Sequence, residues 1–198
     1  LDAPPQLIDL TAFYNKRLDA RSWYCDSPLD TSFAGLPGGL QEFDGIRFDV
    51  RGIVQLNGLE MAKSIPDITW SVEGVQVNLL ARRLHFLGGV DALFSSFTPG
   101  APVGSCVIHY ADGQQAVFPW RARKELDNIQ YSPHSSRANT DSTVVWTGMS
   151  CASESQNCRL RIMKTTWENP RPEVKIVSID LKSEKVAPAP LIIAVTAE

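Results

Sequence analysis

The chain has 198 residues, 43% of them apolar and 21% charged, with a formal net charge of −3. That apolar content excludes intrinsic disorder, and 13 Gly and 13 Pro without a short period exclude a collagen-like fibre. The charge balance offers no basic field for nucleic acid, and the longest near-apolar stretch, residues 190–197, is far short of the ~20 residues a membrane-spanning helix needs.

In chain order, the first pattern is a short helix over residues 10–20, with Phe13, Tyr14 and Leu18 at helical spacing. Residues 46–56 then read as a half-buried strand. Ile46, Phe48, Val50, Val54 and Leu56 fall on one face, and Arg47, Asp49, Arg51 and Gln55 on the other. Gly52 in its middle marks a bulge or a close approach of another part of the chain. Further strands are predicted at 75–79 and 83–87. Residues 103–110 and 115–120 flank Asp112-Gly113, the best hairpin signal, because Asp-Gly supplies the positive φ of a tight turn. Residues 122–129 fit one or two turns of helix. Strands at 143–147 and 159–166 form a second pair, and strands at 174–181 and 191–196 close the chain. Residues 35–39 and 98–102 are loops. Short strands recurring every 8–15 residues, with few helices between, predict one all-β domain over residues 1–198. Its architecture is an antiparallel β-sandwich of jelly-roll type, with one or two short helices.

Of the four cysteines, Cys151 and Cys158 enclose a polar loop between two predicted strands, where a disulfide would staple a hairpin. Closing that loop would stabilise by roughly 2–3 kcal/mol. The spacing does not suit a zinc pair. Cys25 and Cys106 are either a second bridge or separate buried thiols. The opening Leu1-Asp2-Ala3-Pro4-Pro5 carries no secretory leader pattern. With the cysteines, this points to the mature form or an excised piece of an exported bacterial protein, whether secreted, periplasmic or on the cell surface.

Several phrases share an order with a known kind of domain: Phe33-Ala-Gly-Leu-Pro-Gly-Gly, the run from Phe43 to Leu56, Leu84-His-Phe-Leu, Tyr110-Ala-Asp-Gly, Trp146-Thr-Gly, and Thr166-Trp-Glu-Asn-Pro-Arg-Pro with Ile179-Asp-Leu and Ser183. Over residues 7–196 the chain resembles poorly characterised bacterial β-sandwich domains of the galactose-binding-like (jelly-roll, carbohydrate-binding-module-like) type. Such domains are often appended to secreted hydrolases or membrane-tethered regulatory proteins. The resemblance carries no ligand or catalytic residue with it. Where the pattern places a polar segment ending in paired tryptophans, this chain has Lys124-Glu-Leu-Asp-Asn-Ile-Gln-Tyr131.

Catalytic patterns are weak. Gly148-Met-Ser150-Cys-Ala152 lacks the helix that a nucleophile elbow opens. Cys106 and His109, three apart on a predicted strand, point to opposite faces. His85, His109 and His134 show no metal-ligand spacing. Residues 35–39 lack the Lys-Ser/Thr partner of a phosphate loop. Asp9, Glu42, Asp49, Asp112 and Asp180 are acids from which a hydrolase could draw a catalytic pair. No cofactor is implied; a structural calcium, drawing on Asp26, Asp30, Asp44 or Asp49, is compatible with the fold by analogy.

Recognition is the remaining chemistry, and the predicted function is a non-catalytic binding or accessory module. Carbohydrate is the first ligand class, because aromatic rings suit the apolar C–H face of a sugar while polar groups meet its hydroxyls. The candidate contacts are Trp23 in an early loop, Trp120 near a loop rim, and Asp49 with Arg51, which share one strand face and read equally as a surface ion pair or a structural tie to a neighbouring strand. Trp146 and Trp167 read as core residues. A protein-interaction or self-association module, using Leu93, Phe94 and Phe97, is the second reading.

Overall fold

The structure is a computed structural model describing residues 4, 6–20, 32–92, 97–131, 141–149 and 159–198. Its strands are β1 (Leu7–Ile8), β2 (Gly39–Phe43), β3 (Ile46–Val50), β4 (Val54–Gln55), β5 (Ser71–Leu79), β6 (Arg83–Asp91), β7 (Pro102–Tyr110), β8 (Gln115–Arg121), β9 (Gln130–Tyr131), β10 (Ser142–Gly148), β11 (Arg159–Glu168), β12 (Ile176–Ser183) and β13 (Ala189–Ala197). The one α-helix among the described residues, α1, spans Leu59–Ala62.

Every strand pairing among the described residues is antiparallel. A large sheet has the order β1-β13-β6-β11-β10, with β4 beside β13 and β9 beside β11; a smaller sheet has the order β5-β12-β7-β8. From β5 to β13 the chain passes back and forth between the two sheets, so their facing sides enclose one core. Phe86, Val90, Trp167, Ile192 and Val195 of the large sheet meet Val75, Val103, Ile108, Phe118, Trp120, Ile179 and Leu181 of the small one. The molecule is therefore the predicted antiparallel β-sandwich.

A third layer goes beyond the two predicted. The hairpin β2–β3, with the turn around Phe33 and Leu36, covers the far side of the large sheet and seals a second core of Phe48, Val50, Ile53, Leu87, Ile162, Leu191 and Ile193. Because both faces of the large sheet are covered, β13 is buried at every position and β6 at all but its first. Two Asp-Gly turns close hairpins. Asp44 and Gly45 join β2 to β3 with φ of 50° and 74°, the pairing of a two-residue type I′ turn. At the predicted turn, Asp112-Gly113, the glycine takes φ 82°, and Asp112 Oδ1 accepts the Gln114 N–H at 3.1 Å.

Three local expectations are corrected. Residues 10–20 form only a 3-10 turn at Thr11–Phe13, because Asn15 and Lys16 instead donate their backbone N–H groups to the Ile53 carbonyl. Residues 122–129 form no helix: Arg123 sits at φ 60°, and the Glu125 carboxylate accepts the Arg121 N–H at 2.9 Å. The strand predicted over 46–56 breaks at Arg51-Gly52, and beyond the break its alternation is lost. Gln55, expected on the outer face, is buried, donating from Nε2 to the Leu56 and Pro190 carbonyls at 3.0 and 3.1 Å.

Candidate functional site

The break at Gly52 is what creates a site. Gly52 is buried and has no side chain, so Tyr14 packs directly on its backbone; a Cβ there would lie 2.8 Å from the Tyr14 ring. The Tyr14 hydroxyl donates to the Ile193 carbonyl at 3.3 Å. Burial pushes this phenol well up from its usual pKa, the Asp49 charge adds to the rise, and Arg51 opposes it, so the ring stays neutral. Next along the chain, the Asn15 carboxamide clamps Gln55, donating to its carbonyl and accepting its N–H, both at 2.8 Å. Residues 14–17 are thereby held across the break. The result is a cleft of about 300 Å³ lined by Tyr14, Asn15, Lys16, Arg17, Arg51 and Gly52.

Charge is arranged unevenly around this cleft. Arg51 Nη2 pairs with Asp49 Oδ2 at 2.6 Å, and Arg51 Nη1 reaches Thr11 Oγ1 at 3.4 Å. The Asp49 side chain is 14% exposed and that of Arg51 41%. Arg17 reaches Asp19 through Nε and Nη2 at 2.8 and 2.7 Å. The Thr11 hydroxyl and N–H hold the Asp9 carboxyl below the usual carboxylate range, against burial, with Arg51 helping. Burial lowers the Lys16 amine, and the Asp91 carboxylate opposes that shift.

Of the sequence-predicted contacts, Asp49 and Arg51 meet as an ion pair at this cleft. Trp120 does not belong to it, which corrects the expectation of a loop-rim position. Its side chain is fully buried between the sheets, edge-on to Phe86 at 6.0 Å, and cannot present a ring to a ligand. Trp167 lies in the main core, as its strand position predicts, whereas Trp146 is only partly buried, packing against the second core edge-on to Phe33 at 6.1 Å. Phe97, expected in a contact patch, packs partly buried against the main core. Trp23, Leu93, Phe94, His134, Ser150, Cys25, Cys151 and Cys158, with Asp26 and Asp30, lie outside the described residues. The expected pairing of Cys151 with Cys158 therefore falls there too. Cys106 is a buried free thiol, and burial raises its pKa well above the ordinary value.

The remaining titratable candidates are spread over the molecule. His109 Nε2 lies 2.9 Å from Asp180 Oδ2, and its Nδ1 lies 3.1 Å from Gln115 Nε2, on the open side of the small sheet. His85 is buried between Thr166 Oγ1 and Glu198 Oε2, each at 2.9 Å. Asp112 pairs with Arg171 at 2.5 Å, Asp44 with Lys164 at 2.7 Å, and Glu42 faces Arg47 across the β2–β3 ladder. Among the described residues, no three His, Cys, Asp or Glu side chains converge as a metal site would require.

Sequence reasoning misses Tyr14, Asn15, Lys16 and Arg17 as site residues because their segment has the apolar spacing of a helix. The available signal is twofold: an aromatic followed at once by Asn-Lys-Arg, and the glycine at position 52 that marks a close approach. The chain matches no protein-family model, no curated protein and no solved structure.

Proposed function

We propose that this chain is a non-catalytic binding module of an exported bacterial protein, a jelly roll of the galactose-binding-like kind that recognises carbohydrate. The observation that carries the reading is the cleft at Gly52, where an aromatic ring, a carboxamide and three cationic side chains converge. Sugar recognition needs that combination: apolar ring surface for C–H groups, and fixed donors and acceptors for hydroxyls. The Asp49–Arg51 ion pair supplies both an acceptor and donors side by side. At about 300 Å³ the cleft is at the small end of ligand sites, which suits a single saccharide unit rather than a long stretch of polymer.

Calorimetric titration of the folded protein against a broad panel of soluble polysaccharides and oligosaccharides tests the reading. Saturable binding by one glycan class is expected, weakened at least about tenfold by Arg51→Ala, a loss of about 1.4 kcal/mol. The variant should keep the parent's circular dichroism. Silence across the panel, or binding that Arg51→Ala leaves unchanged, overturns it.

A further inference from the structure

We infer that the cleft at Gly52 selects an anionic saccharide, one that presents a carboxylate to Lys16, Arg17 and Arg51. The inference rests on the cleft being the binding site proposed above. Of its six lining residues three are cationic and none is acidic, in a chain whose net charge is −3. The acids that neutralise these cations stand outside the lining and take only part of each guanidinium. Arg17 engages Asp19 through Nε and Nη2, and Arg51 engages Asp49 through Nη2. A guanidinium carries five N–H donors, so each retains some for an incoming oxyanion.

Lys16 strengthens the case. Its side chain is half-buried, yet among the described residues no carboxylate lies within ion-pair distance of it. The Asp91 carboxylate acts on the amine at longer range, and burial outweighs it. A desolvated ammonium without a close counter-ion is unfavourable, and a ligand carboxylate would offset that penalty. A neutral sugar would leave the Lys16 ammonium without a close counter-ion. A uronic acid unit joins the hydroxyl-rich body of a saccharide to the single anion this lining favours, and charge-assisted hydrogen bonds to it are the strong kind.

The test compares tetragalacturonate with its fully methyl-esterified form, which keeps the shape and removes the charge. The acid should bind at least about tenfold more tightly than the ester, with an affinity that falls as sodium chloride rises. Lys16→Met and Arg17→Ala should each weaken the acid and narrow the gap between acid and ester. Equal affinity for acid and ester, independent of salt, overturns the anionic preference and leaves the cleft standing as a neutral-sugar site. The anionic preference falls in the same way if a neutral glycan binds in an Arg51-dependent manner while the uronate does not. Uronate binding that neither Lys16→Met nor Arg17→Ala alters puts the ligand elsewhere and overturns both conclusions.

Discussion

At the residue scale, Gly52 holds the site together because it has nothing to put between its backbone and the Tyr14 ring. Gly52→Ala would place a methyl 2.8 Å from that ring, so the ring must shift. Overpacking of this kind costs about 1–3 kcal/mol. Urea unfolding should show that loss, and titration should show weaker ligand binding in the same variant. Arg161 and Asp127 form a different kind of dependence, a 2.8 Å ion pair with side chains only 7% and 9% exposed. Arg161 also lies over the Tyr131 ring and donates to the Asn128 carbonyl. Asp127→Ala would strand the guanidinium in the interior, and a loss of about 3–5 kcal/mol is expected in denaturant unfolding. Trp120 shows what is legible at this scale. Its place at a strand end suggests a rim, yet Phe118 and Trp120 are two apart and share the inward face. The period-two rule, applied to β8 as to residues 46–50, leads to the buried position.

At the scale of elements, two strands carry groups whose protonation is linked to folding. On β12, burial alone would raise the Asp180 carboxyl, but the Gly74 N–H, His109 and Lys182 outweigh it and hold the group below its ordinary 3.8. The folded state thus keeps this carboxylate charged where the unfolded chain has begun to protonate. Its contribution is complete above about pH 4 and is lost as pH falls further. On β6, burial lowers the His85 imidazole below 6.5 despite the opposing Glu198 carboxylate. Here the unfolded chain takes up the proton first, so stability declines as pH falls below about 6.5. The melting temperature is therefore expected to fall gently below about pH 6.5 and steeply below about 4. His85→Gln should remove the first decline and leave the second, as scanning calorimetry from about pH 3 to about pH 8 would read. Among the elements themselves, β7–β8, β10–β11, β12 and β13 were legible from alternation and turn chemistry. β2 was not, although Asp44-Gly45 repeats the signal of Asp112-Gly113. Leu40 of that strand points outward, so Gly39–Phe43 shows no inward alternation. The helix expected over 10–20 does not form because tertiary hydrogen bonds to Ile53 and Gln55 outcompete local spacing.

At the scale of the whole molecule, three layers rather than two explain both the buried central strands and the placement of the cleft. The large sheet is sealed by the small sheet on one side and by β2–β3 on the other, and the N-terminal segment crosses where β3 gives way to β4. Phe48 is fully buried in the outer of the two cores. Phe48→Ala should cost about 3–5 kcal/mol. Near- and far-ultraviolet circular dichroism should still report one coincident transition, because both cores share the large sheet. The sandwich was legible because two-sheet packing leaves a period-two trace in sequence. The third layer and the cleft were not, because both depend on contacts between distant segments, such as Asn15 with Gln55, 40 residues on. Amide chemical-shift mapping during titration with a bound oligosaccharide reads out recognition at the break between β3 and β4. The largest shifts are expected at Asn15, Lys16, Arg17, Arg51 and Gly52. Shifts concentrated instead on Val107, His109, Gln115 and Val117, across the open side of the small sheet, would contradict it.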